Sequence, residues 1–153
     1  MSTSALDRDV SGLEYLHRIV AGEIASVPIG ETMGFHAVEV ERGRIVLAGT
    51  PDARYYNLIG TIHGGWAASI LDTAMALAAL STLDAGHDFT TLDIKVNYLR
   101  PIAPGMKVRA EGRVLHGGRR VALCEATLAD EAGKLLAHGT STCLIVPRAH
   151  KAP

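Results

Sequence analysis

Aromatic residues make up only 5% of this chain, which argues against a stacking platform for nucleic-acid bases. Charge of one sign is missing too. The 15 basic and 16 acidic side chains leave a formal charge of −1, so a phosphate backbone would meet no basic face. Cysteine is limited to Cys124 and Cys143. That is too few for a disulfide framework and has no metal-ligand spacing, so two small buried hydrophobes in a reducing cytoplasm are expected. The segment MSTSALDRDV lacks the apolar stretch of an export signal. No serine sits in a G-x-S-x-G turn and no glycine-rich nucleotide loop occurs, which excludes an α/β-hydrolase serine and a dinucleotide site. His17, His36, His87, His138 and His150 form no i, i+4 pair, so no metal site is expected.

What remains is a chain of 153 residues, 48% hydrophobic and 20% charged. That suits one domain over residues 1–153, with residues 1–10 and 147–153 as flexible ends. One run stands out. From Trp66 to Leu83 the sequence reads WAASILDTAMALAALSTL, with Asp72 as the only charge. The length reaches the threshold of a membrane span. Asp72 falls in mid-run, however, where a carboxylate would cost about 2.5–3.5 kcal/mol. The run is also rich in alanine and has no basic flank, so a helix buried on nearly all sides is expected, without a membrane.

Around that helix the pattern alternates. Leu13 to Ile24 carries apolar residues at helical spacing, with Ser11 and Glu14 as a capping box. Pro28, Gly30 and Gly34 are expected to break it. Phe35–Val40 and Ile45–Thr50 read as a hairpin turning at Arg42–Gly43, and residues 51–61 as a loop. After the long helix, Leu92, Ile94, Val96 and Tyr98 alternate with Thr91, Asp93, Lys95 and Asn97, a half-buried strand. Strands through Val108–Val114, Val121–Leu128 and Leu135–Val146 follow, with Gly117–Gly118 as a turn using positive φ. The fold class is therefore α+β: a curved antiparallel sheet of about six strands around one central helix, with an N-terminal helix. The open edges of such a sheet favour pairing with a second copy.

The chemistry concentrates between Asn57 and Asp72, in NLIGTIHGGWAASILD. His63–Gly64–Gly65 opens the long helix. Two glycines there weaken the helix by about 1 kcal/mol each, so they need a reason. Either bare N–H groups at the helix start hold a developing oxyanion, or the backbone is approached so closely that only glycine fits. Asp72 is likewise open to two readings: a general base or nucleophile, or a structural carboxylate bonded to Ser69 or Thr73. Gly64 and Asp72 are eight residues apart, about 12 Å along a helix. One carbonyl held at the first cannot be attacked from the second within one chain. A site that uses both must be shared between two antiparallel helices of a dimer.

The sequence of Asn57, His63–Gly64–Gly65, Asp72 and the strand TTLDIKVNYLRP resembles the hotdog-fold acyl-CoA thioesterases, most closely the phenylacetate-degradation subgroup. The likeness runs from about Met33 to Val146. It implies that Gly64 N–H polarises the thioester carbonyl and that Asp72 of the partner activates water. Asn57 would orient the thioester or the water, and His63 would brace the helix start or contact the thioester. Thr91 falls where relatives carry a serine. Coenzyme A, which is part of the substrate and leaves no further cofactor to bind, would run along Tyr98, Leu99, Arg100 and Pro101. It would then follow His116, Gly117, Gly118 and Arg119, with Gly65, Trp66 and Thr73 also at the substrate. Trp66, Ile70, Met75 and Tyr55 are candidates for an acyl pocket. A dimer is required if the site is shared, and the resemblance favours two dimers paired into a tetramer. A hotdog hydratase and a non-catalytic acyl-CoA binding module are the alternatives. The first uses a histidine and an acid at another spacing; the second gains nothing from a carboxylate at position 72.

Overall fold

The computed structural model describes residues 10–148. Two short helices, α1 (Gly12–Val20) and α2 (Pro28–Met33), precede strands β1 (Phe35–Glu41) and β2 (Arg44–Gly49). A 3-10 turn (Ala53–Tyr55) leads into α3 (Gly64–Leu80). Strands β3 (His87–Tyr98), β4 (Val108–Gly117), β5 (Val121–Asp130) and β6 (Leu135–Pro147) complete the order. All six strands form one antiparallel sheet in the order β1-β2-β4-β5-β6-β3. β3 therefore follows the helix to the far edge. The sheet curves around α3, and the architecture is the α+β one that the pattern implied, the hotdog fold.

The core is α3 itself. Trp66, Ile70, Leu71, Ala74 and Met75 are enclosed, and the helix packs against β2, β3, β4, β5 and β6. The strands approach it closely because β4 and β6 carry glycines facing it. A Cβ on Gly112 would lie 2.3 Å from the Ala74 carbonyl oxygen, and one on Gly139 3.4 Å from the Met75 side chain. Burial explains why the apolar run need not enter a bilayer. Among the described residues, no helix is long and apolar enough to cross one.

Local chemistry sets the ends of the elements. The Ser11 hydroxyl accepts from Glu14 N–H and starts α1. Pro28 opens α2 instead of merely breaking α1, because the first helical position needs no N–H; Gly34, at φ 75°, ends it. α1 stops at Val20, short of Ile24. α3 stops at Leu80 rather than Leu83, because the Ser81 and Thr82 hydroxyls each donate back to a carbonyl, Ala78 and Ala79, at 2.7 Å. Ser81 Oγ also accepts from Gly43 N–H at 2.7 Å, which ties the β1–β2 turn to the helix end.

Two expectations need correction. The β4–β5 turn does not use positive φ, since neither Gly117 nor Gly118 adopts it. Gly118 N–H closes the turn on the Val121 carbonyl at 2.8 Å, and a Cβ on Gly118 would meet that oxygen at 3.1 Å. Crowding, and not backbone handedness, requires the glycine. The strict alternation expected for β3 is also broken: Thr91 pairs with Cys143 and Asp93 with Thr142, so Leu92 is an extra residue in a bulge. Of the ends expected to be flexible, Pro147 pairs with His87 and Arg148 N–H reaches the Gly86 carbonyl at 2.8 Å. The rest of that expectation, on residues 1–9 and 149–153, lies outside the described residues.

Gly112→Ala tests the close approach of sheet and helix. Overpacking of a backbone contact is expected to destabilise the fold by about 1–3 kcal/mol, read as a lower urea midpoint with unchanged m-value.

Candidate active site

The site begins with a loop that folds on one side chain. Asn57 Oδ1 accepts from Ile59 N–H at 3.0 Å and Thr61 N–H at 3.1 Å, while Nδ2 donates to Thr61 Oγ1 at 2.8 Å. Such an Asn-centred turn replaces the partners that the loop backbone would otherwise lack. It leads through Ile62, whose N–H donates to the Ile102 carbonyl at 3.0 Å, into the start of α3. Asn57 therefore stands in the site as its loop organiser.

His63 is the N-cap of α3. Its Nδ1 accepts from Gly65 N–H at 2.8 Å, which leaves Nε2 as the protonated nitrogen. Gly64 follows as the first helical residue, where an N–H has no acceptor within the helix and the dipole favours negative charge. The two readings of the glycines coincide here. A Cβ on Gly64 would lie 3.0–3.2 Å from the Tyr98 ring and hydroxyl, and one on Gly65 3.0 Å from the His63 ring. Close contact explains the residue type, and helix position explains what its N–H can do.

Asp72 lies two turns on, half-buried. Neither expected structural partner holds it, as the Ser69 hydroxyl donates to the Gly65 carbonyl at 2.8 Å. Thr91 Oγ1 donates to Asp72 Oδ1 at 3.1 Å, and the β3 bulge is what turns Thr91 inward. Thr73 is half-buried next to Asp72. Sequence reasoning missed the neighbour behind this pair: Cys143, fully buried, stands across from Thr91 on β6. Its hydrogen bond with Cys124, together with burial, pushes the Cys124 thiol well up. Only strand register joins positions so far apart in sequence, so no spacing signal announced them.

A groove of about 400 Å³ gathers Asn57, Gly64, Ala67, Tyr98, Leu99, Arg100 and Pro101. Arg100 is tied there, its guanidinium donating to the Leu135 carbonyl. His116, Gly117 and Arg119 are exposed and Gly118 half-buried, and they are not in this groove. Tyr98 pairs with Ala137, whereas Val121, beyond the hairpin, pairs with Leu144. Seven residues along β6 put the two segments about 24 Å apart. Trp66 is also away from the groove. It is 2% exposed, donates its indole N–H to the Met33 carbonyl at 2.8 Å and packs edge-on against Phe35. Ile70 and Met75 are equally enclosed, while Tyr55 hydrogen bonds the Thr32 carbonyl. Among the described residues, no group of three or more His, Cys, Asp or Glu is placed to hold a metal.

A family model described as the thioesterase superfamily matches residues 59–137, from within the Asn57 loop to the first residues of β6. The chain belongs to the thioesterase superfamily. It is a thioester hydrolase with the hotdog fold. Human acyl-coenzyme A thioesterase 13 is 29% identical over 106 residues, covering 69% of this chain and 75% of that one. A phenylacetic acid degradation-related protein from Ralstonia eutropha is 28% identical, with a TM-score of 0.78, over 85% of this chain and 98% of that one. A Streptococcus mutans protein bound to acetyl CoA is 26% identical, with a TM-score of 0.70, over 76% of this chain and 92% of that one.

His63→Ala removes the cap of this thioesterase's central helix. A loss of about 1 kcal/mol is expected, equivalent to a Tm lower by about 2–4 °C, and His63→Asn should restore most of it.

Proposed function

We propose that this thioesterase hydrolyses an aryl- or medium-chain acyl-CoA at a site shared by two subunits. One observation carries the reading. α3 and β3 lie side by side in opposite directions, with Tyr98 bonded to Gly64 at one end and Thr91 bonded to Asp72 at the other. β3 is one of the two edges of the sheet and, at 12 residues, the longer, with Leu92, Ile94 and Tyr98 40–57% exposed. A long apolar edge invites pairing. If two copies join antiparallel along β3, around a two-fold axis midway between Thr91 and Tyr98, Gly64 of one subunit comes to face Asp72 of the other. The same rotation brings the Tyr98–Pro101 segment of one subunit toward the Gly117–Arg119 hairpin end of the other. That joins the two segments that a single chain keeps about 24 Å apart.

In this arrangement Asp72, oriented by Thr91, takes a proton from water as the water oxygen adds to the thioester carbon. The carbonyl oxygen becomes an oxyanion held by Gly64 N–H and the α3 dipole. Collapse of the intermediate re-forms the carbonyl, breaks the C–S bond and sends the proton to the departing coenzyme A sulfur. The names of the human relative and of the acetyl-CoA complex support coenzyme A as the thiol. Pairing of two dimers into a tetramer is part of the proposal.

Free-thiol release from a panel of acyl-CoAs tests it. Asp72→Asn is expected to lower kcat at least 10²-fold. Mixing Asp72→Asn with Gly64→Ala should restore about a quarter of wild-type turnover after random subunit exchange, because half the dimers then hold one intact site of two. An inert wild type that still binds coenzyme A would make the protein a binding module. No recovery on mixing would place the whole site within one chain.

A further inference from the structure

We infer that Tyr98 is a positioning residue for the oxyanion-binding N–H of Gly64, acting through the peptide bond between Gly64 and Gly65. The inference rests on the thioesterase reading above but adds a role distinct from the coenzyme A contact that the sequence resemblance gives to Tyr98.

A glycine is a poor place to mount a directional donor, since its φ and ψ are the least restricted of any residue. At Gly64 the restriction comes from outside. The Tyr98 hydroxyl donates to the Gly64 carbonyl at 3.0 Å. The next N–H, that of Gly65, is held by His63 Nδ1 at 2.8 Å. One peptide plane is thus fixed at both ends. The Tyr98 ring and hydroxyl also fill the space that a Cβ on Gly64 would take, 3.0–3.2 Å away, so the ring restrains Gly64 as its own side chain cannot. Tyr98 is itself anchored: it pairs with Ala137 at the end of β3, and the N–H groups of Leu99 and Arg100 both donate to the Leu136 carbonyl, at 2.9 and 3.1 Å. The fixed plane carries the Gly64 carbonyl and the Gly65 N–H, and through the Gly64 Cα it limits how the preceding peptide, which bears the Gly64 N–H, can turn.

Tyr98→Phe keeps the ring and removes only the donor. With the full-length protein and its best acyl-CoA, kcat should fall about 10-fold, the scale of a small misplacement of a catalytic group. KM and inhibition by free coenzyme A should stay within about twofold, and Tm within about 2 °C. Amide hydrogen exchange at Gly65, whose N–H is held by His63 Nδ1, should quicken about 10-fold, with the remainder of α3 unchanged. Tyr98→His, which offers a ring N–H, should recover part of kcat and part of the protection. A raised KM and weaker coenzyme A inhibition at unchanged kcat would make the hydroxyl a substrate contact and overturn the inference. Unchanged exchange at Gly65 would overturn it as well, even if the wild type hydrolysed no acyl-CoA, an outcome that removes the thioesterase reading separately.

Discussion

Burying one helix on nearly every side is the constraint from which the rest of this structure follows. α3 exposes so little that its sequence shows hardly any amphipathic stripe; Ile70, Leu71, Ala74, Met75, Ala78 and Ala79 are all fully covered. A sheet can cover such a helix only by curving round it and coming close. Glycine at 112 and 139 permits that approach, and the small alanines of the helix match it. The ends are fixed by hydroxyls at Ser81 and Thr82 and by the His63 cap. The result is one unbroken helix of 17 residues in the centre of the molecule.

That continuity dictates the form of the site. An unbroken helix cannot bring its first residue to its ninth, so Gly64 and Asp72 stay about 12 Å apart in any one chain. The groups that serve them come from β3, which runs the other way: Tyr98 to the glycine, Thr91 to the carboxylate. In the proposed function the site is divided into halves at opposite ends of one exposed strand, and a two-fold axis across that strand would reunite them. The outer surface takes no part in this. There Arg44 bridges Glu39 and Glu111, and Arg109 reaches Glu39, an ion-pair network across β1, β2 and β4. Hydrogen bonds from Arg44 first, and then from Arg109 or Arg113, hold the two carboxyls below the usual range.

Much of this was legible from the order of residues. The long apolar run, the alternating strands and the glycine turns gave the α+β layout, because hydrophobic periodicity reports directly on which face is buried. Gly64 and Asp72 stood out as well, one weakening an apolar helix and the other placing a charge in it, whereas Asn57 and His63 were singled out through the family resemblance. Pro28 misled because a helix-opening proline and a helix-breaking one look alike without the partner backbone.

Thr91 marks the boundary between the two kinds of information. Strict alternation puts it on the same face as Asp93 and Lys95, away from Asp72. The bulge at Leu92 reverses that phase, and only then can its hydroxyl meet the carboxylate. Cys143 behind it, Tyr98 over Gly64 and the separation of the Tyr98–Pro101 segment from the Gly117–Arg119 hairpin are of the same type, each fixed by strand register between residues distant in the chain. The sequence by itself determined which segments are helix or strand and which residues are chemically out of place, since both are local properties of burial and backbone preference. Which side chains meet was decided only in the tertiary structure, because a one-residue slip in register turns every later side chain to the opposite face.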